Sequence, residues 1–257
     1  MRHTEGNQRV SETKKSQSGG LWENVKVLAQ ALLLAVIIRT LFFQPFSIPS
    51  GSMMETLLVG DYLFVSKYSY GYSKYSIPFS PDLFSGRIWG DAPERGDVAV
   101  FRLPSNTKVD YIKRVIGLPG DRIQVTDGAL YINGEAVERE LIGNYTPEGR
   151  YNQGTDVPLY RETLPNGVSY TTLDLNPNSP GDNTREFVVP EGHYFMMGDN
   201  RDNSQDSRFE VGYVPLENFI GRATIIFFSI ADESSPLEIW KWPTDLRFDR
   251  FFKSAQR

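Results

Sequence analysis

The chain contains no cysteine and only two histidines, His3 and His193. The first absence excludes disulfides, thiolate catalysis and cysteine-ligated zinc. The second restricts a Ser–His–Asp triad to two imidazoles, one of them in a polar N-terminal tail. Basic charge is not in excess either. The net charge is −5 and the pI about 5.2, which argues against nucleic acid as a partner, since such proteins carry a basic stripe. Long apolar runs are scarce, and there is no internal repeat or sustained low-complexity segment.

One apolar run does stand out. Residues 1–20 are polar and without periodicity, as expected of a disordered tail. From Leu21 the texture changes, and Val25–Phe43 is nineteen residues with few polar interruptions. As a helix it reaches ~28 Å, close to the hydrocarbon thickness of a bilayer. Lys26 and Arg39 stand where long side chains snorkel, and Trp22 at an interfacial position. A buried core helix and a cleaved signal peptide are the alternatives, but no small-residue cleavage site follows the segment. The expectation is an uncleaved transmembrane anchor over 21–43. Arg2, Arg9, Lys14 and Lys15 precede it, so the positive-inside rule puts the N-terminus in the cytoplasm and residues 44–257 on the other side.

The remainder reads as mainly β. Segments 61–67, 97–102, 111–116, 122–125, 130–133, 186–189, 193–197 and 223–229 are short and rich in β-branched or aromatic residues. Turn signals such as Pro119-Gly120-Asp121 and Asn133-Gly134 separate them. A sandwich or barrel-like domain follows from this spacing, with a hairpin at Leu130–Val137. Between 138 and 185 polar, Gly and Pro residues dominate, which predicts an insertion of irregular structure and short strands. The aromatic, basic end at 240–257 either packs on the domain or lies near a membrane.

Three segments carry candidate chemistry. Ser52, in Pro49-Ser50-Gly51-Ser52-Met53-Met54, is either a presented nucleophile or a linker serine. With histidine nearly absent, its base has to be sought elsewhere. A lysine serves if burial lowers its pKa. Lys113 shares a strand face with Tyr111 and Val115, and is either that base or an edge-strand lysine. The run Gly198-Asp-Asn-Arg-Asp-Asn-Ser204-Gln-Asp206-Ser-Arg208 fails the EF-hand pattern in both registers. It reads as an ion-pair loop or as a polar network supporting a site.

Taken together, five blocks resemble the bacterial signal peptidase I (leader peptidase) family: PSGSMM at 49–54, GDYLFVSKYSYG at 60–71, RGDVAVF at 95–101, YIKRVIGLPGD at 111–121 and GDNRDNSQDSR at 198–208. They follow a membrane segment in the family's order. The resemblance implies a membrane-bound endopeptidase that removes signal peptides from exported preproteins, anchored in the bacterial cytoplasmic membrane and needing no metal or cofactor. By motif position Ser52 is the nucleophile and Lys113 the general base. Ser50 and the Ser52 N–H form the oxyanion hole. Ser204 orients the lysine, and Asp206 and Arg208 form a structural pair. The apolar lining that selects small side chains comprises Phe46, Ile48, Pro49, Met53, Leu57, Leu63, Val100, Tyr111 and Ile112. The implied fold is a large β structure with a smaller inserted β region. Glu55 departs from the family's usual proline and is expected to add a charge close to the site. A self-cleaving Ser–Lys repressor would carry a DNA-binding region in place of the apolar span. A tethered, non-catalytic binding protein is the alternative from another class.

Overall fold

A computed structural model describes residues 20–147, 156–176, 178–232 and 234–256, so the tail predicted over 1–20 lies outside the described residues except for Gly20. The chain divides into two compact units, residues 1–37 and 38–257. Helix α1 (Gly20–Leu41) is long and apolar enough to cross a membrane, and none of its residues is buried. Glu23 in its first turn and Arg39 in its last complement the helix dipole. The helix stops two residues before the predicted end because Phe43 is already strand. It pairs with Ser66, and its ring meets that of Tyr68 edge-on at 5.6 Å.

The second unit is mainly β. In chain order its strands are β1 (Phe43–Ser47), β2 (Asp61–Ser66), β3 (Val98–Leu103), β4 (Asn106–Gly117), β5 (Arg122–Thr126), β6 (Ala129–Ile132), β7 (Glu135–Ala136), β8 (Glu138–Tyr145), β9 (Val157–Thr163), β10 (Ser169–Leu173), β11 (Phe187–Val188), β12 (His193–Met197), β13 (Val214–Pro215) and β14 (Phe219–Ser229). The main sheet is antiparallel and seven-stranded, in the order β1-β2-β14-β3-β4-β12-β13. In β2 the alternation of the sequence sets the two faces. Leu63 and Val65 enter the core, while Tyr62 and Phe64 meet the rings of Phe227 and Phe228 on the other side.

A four-stranded sheet, β11-β5-β6-β7, contains the predicted hairpin. Its two-residue turn is Asn133-Gly134, with φ of 56° and 86°, which only such residues adopt readily. The stretch 138–185, expected to hold irregular structure and short strands, contains three strands. Strands β8, β9 and β10 form a three-stranded antiparallel sheet. Its alternation is hidden in sequence because β8 is mostly exposed and charged, and because β9 buries a charged residue, Glu162. The C-terminal segment packs on the domain. The Phe252 N–H donates to Ile226 O and the Ala255 N–H to Thr224 O, while Arg250 pairs with buried Asp61 at 2.6 Å.

Candidate active site

Ser52 sits in a single 3₁₀ turn, Gly51–Met53, just after β1. Met53 and, a turn later, Leu57 plug into the core beneath it, and both are 0% exposed. Burial of two large apolar side chains thus fixes the short segment that carries the hydroxyl. Lys113 lies in the buried half of β4, paired with Ala99 of β3. Its amine donates to the Ser52 hydroxyl at 2.5 Å, and its side chain passes the Tyr111 ring at 5.4 Å. Sixty-one positions of sequence separate the two partners.

Lys113 is 4% exposed, and burial lowers its pKa to about 8; the Asp206 and Asp199 carboxylates oppose that shift and Arg208 reinforces it. An amine in this state is neutral in a useful fraction of molecules near physiological pH. The Ser50 hydroxyl stands 3.5 Å from that of Ser52. Asp206 and Arg208 form a buried ion pair at 2.9 Å. Burial would raise the Asp206 pKa, but the Arg208 charge, with hydrogen bonds from Arg208 and the Gly198 N–H, holds it below the usual carboxylate range. Ser204 is buried beside the lysine, yet no hydrogen bond joins its hydroxyl to the Lys113 amine.

Ser52 and Lys113 open into a cleft of about 600 Å³. Phe46, Ile48, Pro49, Val100, Tyr111 and Ile112 line it, with Ser50 and Ser204 at its polar side. Met53, Leu57 and Leu63 do not line it. All three are fully buried in the core cluster below: Met53 and Leu57 follow Ser52 and turn inward, and Leu63 points into the core from β2. Glu55 is likewise outside the cleft. It accepts the Thr171 hydroxyl at 2.5 Å and borders a separate cavity with Arg161 and Lys253. His193 is on β12, where its ring lies against the Glu191 carbonyl, while His3 is outside the described residues.

The polar support is larger than the sequence suggested. Arg114, next to the lysine and on the opposite strand face, is fully buried and grips Asp199 through two nitrogens at 2.8 and 2.6 Å. Thr56 donates to the same carboxylate at 2.6 Å. Asn200 donates from its main chain to the Ser52 carbonyl and from its side chain to the Gly51 carbonyl, each at 3.1 Å. Arg201 pairs with Glu162 of β9, and Tyr170 of β10 donates to that carboxylate at 2.8 Å. The 198–208 loop is thereby tied to the nucleophile turn on one side and to the small sheet on the other. Its alternation of acids, bases and amides was the only sequence signal for these contacts.

Asp174, Asp182 and Asp202 bring carboxylate oxygens within 4.8 Å of one another. Each is already engaged: Asp174 with Arg139, Asp182 with the Asn178 and Ser179 N–H groups, Asp202 with those of Leu175 and Asn176.

A serine hydroxyl in contact with a buried lysine amine, facing an apolar cleft on a β domain, is the arrangement that a serine peptidase using lysine in place of histidine would need. The family model for signal peptidase, peptidase S26, matches residues 21–228, and the chain belongs to that family. It is 43% identical to a signal peptidase I of Rickettsia akari (strain Hartford) over 261 residues, covering 95% of each chain. It is 45% identical to a signal peptidase I of Rickettsia typhi over 240 residues, covering 87% of this chain and 89% of the relative. A crystal structure of a signal peptidase I from Enterococcus faecalis V583 is 29% identical, with a TM-score of 0.32, covering 51% of this chain and 97% of that one.

Proposed function

We propose that the chain is a membrane-anchored endopeptidase that cleaves signal peptides from exported preproteins, with Ser52 as nucleophile and Lys113 as general base. The observation that carries this reading is the 2.5 Å contact between the buried, neutralisable amine and the hydroxyl. The Ser52 Oγ attacks the scissile carbonyl carbon while its proton passes to the Lys113 amine. The carbonyl oxygen becomes an oxyanion, held by the Ser50 hydroxyl and the Ser52 N–H. The C–N bond then breaks, and Lys113 returns the proton to the leaving amine. Water attacks the acyl-enzyme and gives its proton to Lys113; the acyl C–Oγ bond breaks, and Lys113 passes the proton to the Ser52 Oγ, which restores both groups.

Phe46, Ile48, Pro49, Val100, Tyr111 and Ile112 supply the apolar walls that select small side chains before the cut. Asp206 and Arg208 hold the loop behind the lysine, and Ser204 stands ready to orient its amine. Helix α1 is the anchor, with the N-terminus in the cytoplasm and residues 44–257 on the outer side of the bacterial cytoplasmic membrane. Ser52 follows the end of the helix by eleven residues, Leu41 being the last helical one, so the site stays close to where a membrane-inserted signal peptide emerges.

The reading is tested by incubating the full-length protein, in detergent micelles, with a purified preprotein. Mass spectrometry of the product is expected to show one cut, after a small residue at the end of the signal segment. Unprocessed preprotein, or cuts scattered through the mature region, would contradict it.

A further inference from the structure

Asn200 does not line the cleft, yet it is 2% exposed and holds two successive carbonyls of the nucleophile turn. Its main-chain N–H takes the Ser52 carbonyl and its side-chain nitrogen the Gly51 carbonyl. A carbonyl can only accept, so the amide must present Nδ2 to Gly51. Among the described residues its Oδ1 accepts no hydrogen bond, although it is buried. Burying an unpaired acceptor is unfavourable, so the side chain is kept for its donor alone.

The Gly51–Ser52 peptide is trans. In a trans peptide the C=O and N–H point to opposite sides of the plane. The Gly51 carbonyl also accepts the Met54 N–H of the turn at 3.2 Å, and with Asn200 holding it from the loop side the Ser52 N–H is turned away from the 198–201 loop. Fixing the Ser52 carbonyl as well leaves the turn no rotation by which that N–H could swing back. Nothing else in the loop performs this double grip, since Asp199 is engaged with Arg114 and Thr56, and Arg201 with Glu162.

We infer that Asn200 is a positioning residue for the oxyanion hole: it aims the Ser52 N–H at the substrate carbonyl oxygen without touching substrate. The inference rests on Ser52 being the nucleophile, as proposed above. It implies that Asn200 acts on the tetrahedral state and not on ground-state binding.

Two probes separate these. A peptide aldehyde adds to Ser52: the Oγ–C bond forms, the serine proton passes to Lys113, and the former carbonyl oxygen takes the negative charge. The same peptide with a C-terminal amide binds without forming that bond. In full-length Asn200→Asp and Asn200→Ala proteins, kcat and aldehyde affinity are both expected to fall about 10²-fold, the scale of losing one oxyanion donor. KM and amide affinity are expected to stay at the wild-type values, which also reports that the cleft is folded. If aldehyde and amide affinities fall together, or neither falls, the inference is wrong. Ser52→Ala serves as control. Should the aldehyde keep its advantage over the amide in that variant, the nucleophile assignment fails, and the role of Asn200 fails with it.

Discussion

Arg114 and Asp199 form a two-point ion pair at 2.8 and 2.6 Å with neither side chain reaching solvent. The pair sits one residue from the lysine of the site and one residue from the amide that grips the nucleophile turn. Arg114 also donates to the Gly96 and Gln256 carbonyls, so strand β4, the C-terminal segment and the 198–208 loop meet at one guanidinium.

Breaking such a pair from one side leaves a buried charge uncompensated. Arg114→Met is expected to cost about 3–5 kcal/mol of stability. Urea unfolding should show the midpoint falling at unchanged slope. The double variant Arg114→Met/Asp199→Asn is expected to lose less stability than the two single changes summed, because the two residues share one interaction.

The pH dependence has a defined sign. Lys113 has a folded pKa of about 8, and it works as a base only when neutral. Below pH 8, kcat/KM is expected to rise about tenfold per pH unit, then level off above it. Lys67, also buried and lowered to about 8 by that burial, donates to the Ser76 carbonyl and does not line the cleft. In the unfolded chain both amines hold their protons up to about pH 10.4. Between roughly pH 8 and 10 the unfolded state thus binds more protons, and stability rises with pH through that window. Lys67→Met is expected to reduce that rise in denaturant titrations while leaving the pH–rate profile in place.

Gly198 is required by space. A Cβ there would stand 2.5 Å from the Ser52 carbonyl oxygen and 2.5 Å from the Ser204 Cβ. Gly198→Ala must push the loop off the nucleophile turn. A displacement on the order of 1 Å costs about 10²-fold, so kcat is expected to drop by that factor while circular dichroism stays native.

Glu55 carries its charge outside the cleft, bound to Thr171 of β10. Glu55→Ala is expected to cost about 1 kcal/mol through the lost hydrogen bond, read as a lower unfolding midpoint. No comparable change in kcat/KM should accompany it.

Much of this was legible in the sequence, for physical reasons. The membrane-length helix and strands β2, β3, β4, β12 and β14 of the main sheet follow from period and composition, which act locally, whereas β1 and β13 were not read as strands. Scarcity of histidine directed attention to lysine, and Lys113 shows as unusual because a charged residue interrupts an apolar strand. The partners of that charge were not legible. Arg114–Asp199 and Arg201–Glu162 join segments dozens of positions apart, and only the folded register brings them together. Met53, Leu57 and Leu63 were expected in the lining because the family resemblance implied it by motif position. Proximity in sequence does not tell which side of a turn a side chain takes. Strands β8–β10 were expected only as short strands within irregular structure, because β8 is largely exposed and β9 buries a glutamate, which blurs the apolar alternation that marks a core strand.

Ser52 and Lys113 act as one unit in the proposed reaction, and a kinetic double-mutant cycle measures that coupling. The measurement is kcat/KM for cleavage of a preprotein by Ser52→Ala, Lys113→Ala and the double variant, with fold checked by thermal unfolding. Each single change is predicted to cost about 10⁴-fold or more, and the double variant to be no worse than either, as for groups that share one step. Retained cleavage by either single variant, or losses that multiply in the double, would contradict the account.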